Sequence, residues 1–140
     1  MNLSRETKLV SGVILLVVPT IMYGGITLLG MLTNDTAGLS PGLTLNETQI
    51  ALFRAGHAHA GVWVILALVL QILIDSAKLS KSMMWLARWS APVAAITVSG
   101  GFFGLAFSPE FRWLLYFGGL SLLVTLLLTG IGLLKNLSAR

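Results

Sequence analysis

Long apolar runs alternate with short polar breaks along this chain. Four runs, 9–32, 53–74, 83–107 and 113–134, are dominated by Leu, Ile, Val, Ala, Gly and aromatic residues. Each reaches the ~20 residues that a helix needs to cross a hydrocarbon core. None shows the two-residue alternation of a membrane β-barrel strand. In lipid every backbone N–H and C=O must find an internal partner, so the runs predict four α-helices. The first break, "TNDTAGLSPGLTLNET", is rich in turn-forming residues, and Asn46 or Thr48 is placed to cap the second helix. The other two, "DSAKLSKS" and "SPEFR", are short enough to make consecutive helices antiparallel neighbours. The expectation is one all-α integral membrane domain over 1–140 with four transmembrane helices and no internal repeat.

Composition supports that class. Of 140 residues, 56% are hydrophobic and only 10% charged, against about a quarter charged in a soluble domain. The first run is too long for a signal-peptide core and no small-x-small cleavage site follows it, so it is kept as a helix. The net charge of +4 does not indicate nucleic acid, because the basic residues form no soluble patch. Arg5, Lys8, Lys78, Lys81, Arg88, Lys135 and Arg140 flank one side of the expected bundle, and Arg54 and Arg112 the other. That asymmetry predicts cytoplasmic N and C termini and a second helix running from outside to inside. Glycines in the first, third and fourth helices suit close packing in lipid, and Pro19 and Pro92 are expected to kink helices one and three.

Several classes of chemistry are disfavoured. Without cysteine there is no disulfide, thiolate metal site or nucleophilic thiol. Asp35, Glu47, Asp75 and Glu110 fall at helix ends or in loops, so the intramembrane carboxylate of a proton-coupled transporter is missing. No serine–histidine or paired-carboxylate arrangement suggests a hydrolase.

The chemistry-bearing stretch is "FRAGHAHAGVWVIL", which holds both histidines of the chain. His57 and His59 are two positions apart, so on an α-helix they point about 200° from each other and cannot share one metal ion. Arg54 lies one turn before His57, Gly61 and Gln71 share the His57 face, and Trp63 follows His59 by one turn. An imidazole between small residues Gly56, Ala58, Ala60 and Gly61, with an arginine nearer the water, suits haem. Iron takes an axial nitrogen, the porphyrin needs small neighbours, and propionates pair with guanidinium. Copper or zinc on either ring, with Met22 or Met31 towards the outer half, is the alternative. A third reading has both rings hydrogen-bonded within helix interfaces of a cofactor-free subunit.

"GHAHAGVWVIL" resembles the His-x-His stretch near the outer end of the tenth helix in the catalytic subunit of haem-copper oxidases. That helix also runs inwards and supplies ligands to haems on its two sides. The family's twelve helices form three arcs of four with histidine-bearing second helices, and this chain is similar to one arc. In "FSPEFRWLLY", Arg112 stands where the family has a propionate-binding arginine. The resemblance implies haem b held by His57 and His59, with Arg54, Arg112, Gly56, Gly61 and Trp63 around it. It implies a site near the outer face of a bacterial or archaeal cell membrane. A closed homotrimer would recreate twelve helices, with His57 of one subunit and His59 of the next sharing an inter-subunit haem. The family's separate copper-ligand histidines have no counterpart, so oxygen reduction is not implied. Electron transfer, haem carrying or haem sensing is, without naming a redox partner.

Overall fold

A computed structural model of the chain describes residues 2–33 and 44–137. It consists of α1 (Arg5–Thr33), α2 (Glu47–Ser76), α3 (Lys81–Leu105) and α4 (Arg112–Leu137), the last preceded by a single 3₁₀ turn, Pro109–Phe111. The turn residues read between the first two helices fall mostly on 34–43, outside the described residues. Pro19 and Pro92 both lie inside continuous helices, α1 and α3.

Local sequence fixes the helix starts. The Asn46 side chain accepts from the Gln49 backbone N–H at 2.9 Å, and the Gln49 side chain accepts from the Asn46 N–H at 3.0 Å. This capping box selects Asn46 over Thr48 as N-cap and satisfies two otherwise unpaired donors. Asn46→Ala is expected to cost about 1 kcal/mol and to speed amide exchange in the first turn of α2. Exchange at Gln49 and Ile50 matching the wild type would refute this. Ser80 caps α3 and Ser108 the 3₁₀ turn.

Contacts at the helix ends define the topology. Ser4, before α1, bonds to Asp75 at the end of α2, and Gln49 at the start of α2 donates to Ala106 O past the end of α3. Thr125 Oγ1 of α4 donates to Ala87 O of α3 at 2.8 Å, while near the opposite end Gly101 abuts Leu115. Consecutive helices are therefore antiparallel. The α2–α3 connection is tied to α4 by Lys78 N–H to Gly132 O and by the Asn136 amide to Ser76 O. Helix α1 packs along α2, touches α3 little, and makes no contact with α4. The bundle is an open arc with α3 innermost, between α2 and α4.

That placement corrects the sequence expectation of four comparable spans. Among the described residues, α1, α2 and the Pro109–Leu137 segment are long and apolar enough to cross a membrane, and α3 is not among them. With 25 residues α3 is long enough, so its lower apolarity is the reason. Its buried positions are Ala87, Arg88, Ser90, Ala91, Ala94, Ala95, Val98, Ser99 and Gly101, small or polar groups that face other helices. A helix covered by protein needs little lipid-facing surface, and small residues let backbones approach closely. The perimeter is the reverse. Leu16 is 81% exposed, Ile65 65% and Leu134 66%, and the outward face of α3 adds Ile96 at 66%, all part of an apolar belt far beyond what a soluble monomer presents.

The apolar core, Val10, Ile14, Ala67, Leu70, Ile74, Ala87 and Ala91, joins α1, α2 and α3 towards the end that carries both termini. Beside it lies a polar cluster. Arg88, 3% exposed, is ion-paired to Asp75 and donates to Thr7 Oγ1 (2.7 Å), Gln71 Oε1 (3.1 Å) and Gln71 O (3.3 Å). Gln71 in turn donates to Arg88 O at 2.9 Å, and Ser4 bonds to the Asp75 carboxylate. Arg88 is thus inside the bundle, a correction to its sequence assignment as a flanking charge. A guanidinium presents five donors in a fixed fork, which suits it to join three helices at one point.

Candidate functional site

The first half of α2 carries both imidazoles, and the helix sends them to different surroundings. His57 turns towards α1. Its Cε1 and Nε2 lie 3.0 Å from where a Cβ on Gly25 would sit, and its Nδ1 3.9 Å from that of Gly24. The two glycines form a groove for the ring, and no described residue is hydrogen-bonded to it. Two apolar cavities, of about 310 and 260 Å³, share His57, Gly24 and Phe103 as walls.

His59 turns the other way. Its Nδ1 is 2.7 Å from Ala55 O, one turn back. A carbonyl oxygen only accepts, so this bond assigns the proton to Nδ1 and leaves Nε2 with a free lone pair. The ring packs at 4.7 Å between centroids against Phe102 of α3 and edge-on at 5.6 Å to Trp63. A cleft of about 140 Å³, walled by Ala58, His59, Val62 and Trp63, opens beside it on the perimeter. The angular reading from sequence therefore agrees with this placement: the rings face separate surroundings.

The other expected site residues are distributed unevenly. Arg54 is exposed on α2, and Arg112 is exposed at the start of α4 with its guanidinium 5.7 Å from the Trp113 ring centre. Both stand at the histidine end of the bundle. Gly56 is buried, and a Cβ there would meet the Phe103 ring at 2.8 Å, so this glycine serves the α2–α3 contact. Nothing lies within 4 Å of the Gly61 Cβ direction, leaving space there. Among the described residues no three His, Asp or Glu side chains converge into a metal-binding group.

Two polar features escaped the sequence reading. Arg88 sits six positions inside the third apolar run, and Gln71 and Asp75 are one turn apart, a spacing that signals a shared polar face. Ser99 offered no such signal. Its hydroxyl is buried without a hydrogen-bond partner, in a residue that lines the larger His57 cavity.

No family model, curated protein or solved structure matches the chain.

Proposed function

We propose that this is an integral membrane protein that binds haem b through His59, near the outer face, for electron transfer or for carrying or sensing haem. The observation that carries the proposal is the His59 Nδ1–H···O=C bond to Ala55. Ligating histidines characteristically donate their second ring nitrogen to a carbonyl or carboxylate, which fixes the tautomer and turns the free nitrogen outward. Here that bond leaves Nε2 with its lone pair, His59 is a wall of an apolar cleft, and Trp63 and Phe102 hold the ring in place. Arg54 and Arg112, at the same end, are the cations available to propionates. Bound haem supplies one-electron chemistry; the chain's own groups ligate it, orient it and keep its surroundings apolar.

In this reading all four helices span the bilayer, α3 sheltered between α2 and α4. Both termini are cytoplasmic, because six of the eight described Lys and Arg residues flank or enter the end away from the histidines. The His59 cleft, at about 140 Å³, covers only part of a porphyrin, so a second copy would complete the site. A homo-oligomer, with the trimer favoured by the arc-like topology, follows from that need. His57 in the same subunit faces α1, so the ligand to the opposite haem face is assigned to the neighbouring copy without naming its residue.

A cofactor-free accessory subunit is the second reading, and His57 favours it: its ring fills the Gly24–Gly25 groove as a packing group would. Haem stoichiometry of the purified protein separates the two. The wild type is expected to hold haem b, His59→Ala to lose most of it, and His57→Ala to retain most of it. Loss confined to His57→Ala would move the ligand to the cavities that His57 walls. Haem absent from all three proteins would leave the accessory reading.

A further inference from the structure

At the end of the bundle opposite the histidines, a cavity of about 420 Å³ lies between the starts of α1 and α3 and the end of α2. That volume is within the ~300–1,000 Å³ of ligand sites. Its walls carry two anions and two cations: Glu6, Asp75, Lys81 and Arg88. Asp75 and Arg88 neutralise each other, and the guanidinium is also committed to Thr7 and Gln71. Glu6 and Lys81 are different. Glu6 is half-buried and Lys81 exposed, and among the described residues neither forms an ion pair, with the other or with any third group. Opposite charges that face one cavity without meeting leave room between them for a ligand carrying both signs. Met84 and Trp85 supply the apolar part of the wall. A Trp near a helix end, among Lys and Arg residues, marks the level of the lipid head groups.

We propose that this cavity binds the head group of a zwitterionic phospholipid with a primary ammonium, phosphatidylethanolamine. Lys81 pairs with the phosphate and Glu6 with the ammonium. Lys81 is also the first residue of α3, so the positive end of that helix dipole adds to the attraction for phosphate. The four wall charges sum to zero, and an occupant with a net charge leaves Glu6 or Lys81 without a partner. An anionic phospholipid would satisfy Lys81 but set its head beside the Glu6 carboxylate. Phosphatidylcholine has the right charges, but its methylated nitrogen has no N–H to give a carboxylate, whereas a primary ammonium has three. Quaternary ammonium groups are held by aromatic cages, and among the described residues Trp85 is the one aromatic wall here. The acyl chains leave past Met84 and Trp85 towards the apolar belt. The site rests on the membrane reading of the chain and not on haem, since His57 and His59 lie at the other end.

The test is native mass spectrometry of the full chain released from nanodiscs that contain phosphatidylethanolamine, phosphatidylcholine and phosphatidylglycerol in equal amounts. One retained phosphatidylethanolamine per chain is expected, enriched about fivefold over each of the other lipids, the size of one partly shielded charged contact. Glu6→Gln should lose the preference over phosphatidylglycerol. Lys81→Met should weaken retention of both phosphatidylethanolamine and phosphatidylglycerol about fivefold. Neither residue has an ion pair among the described residues to lose, so both thermal midpoints should stay near the wild-type value. Equal retention of the three lipids, phosphatidylglycerol preferred by the wild type, a lipid profile unchanged in either variant, or release of the lipid by free phosphoethanolamine at equal concentration would each overturn the proposal. Incorporation into nanodiscs reports the membrane reading by itself, so its failure and a failure of lipid selection are distinguishable.

Discussion

Arg88→Met is expected to destabilise the fold by about 3 kcal/mol, seen as a lower thermal or SDS unfolding midpoint in mild detergent. Removing one partner of a buried ion pair costs ~3–5 kcal/mol because the other charge is left uncompensated. The lower end applies because the Asp75 side chain retains 18% exposure and keeps its bonds from Ser4, so part of its charge can be rehydrated. The losses extend beyond the pair. Thr7 and the Gln71 side-chain oxygen also lose their guanidinium donor, and these groups belong to α1 and α2. Arg88→Lys should fall between, since one ammonium cannot reach all the acceptors that the planar fork spans. Adding Asp75→Asn to Arg88→Met should recover part of the loss by removing the stranded charge. A wild-type midpoint for Arg88→Met would show that the cluster does not hold the three helices together.

Gly118→Leu carries the second large effect. A Cβ at Gly118 would lie 2.5 Å from both Thr97 Oγ1 and Val98 Cγ2, and 3.1 Å from the Val98 backbone nitrogen. Side chains can rotate away, but the backbone of α3 can yield only if the helices separate. Overpacking of this kind costs about 1–3 kcal/mol, and here it falls on the α3–α4 seam, where Gly101 also contacts Leu115. Gly119→Leu is the internal control. Its Cβ direction meets nothing within 4 Å, so it adds helix propensity without a clash and should leave the midpoint unchanged or raised. Equal midpoints for the two variants would contradict the close α3–α4 approach.

Much of this architecture was legible in the hydrophobic pattern, for reasons specific to particular elements. The apolar runs located all four helices, since each lipid or core contact demands continuous apolar surface and the breaks hold the capping residues. The cap of the second helix was legible only as Asn46 or Thr48, and the reciprocal bonds between Asn46 and Gln49 decide for Asn46. The opposite directions of His57 and His59 followed from helical geometry alone. Arg88 was misjudged because hydropathy counts a charge without knowing its partners, and Thr7, Gln71 and Asp75 come from two other helices. The lower apolarity of α3 was passed over for a related reason: its small and polar residues become interpretable only once α2 and α4 are seen to cover it. Which face of α2 would be closed by α1 could not be read either, because Gly24 and Gly25 look like any other packing glycines until His57 is placed against them.

The most direct test of the haem proposal is the visible spectrum of the purified wild-type protein, made with ample haem and recorded oxidised and dithionite-reduced. A Soret band with a sharp reduced haem b band, at up to one haem per chain, is the predicted result. A colourless protein that remains folded and gains no Soret band on haem titration would contradict it, and His59 would then be a ring held by Ala55, Phe102 and Trp63 for packing alone.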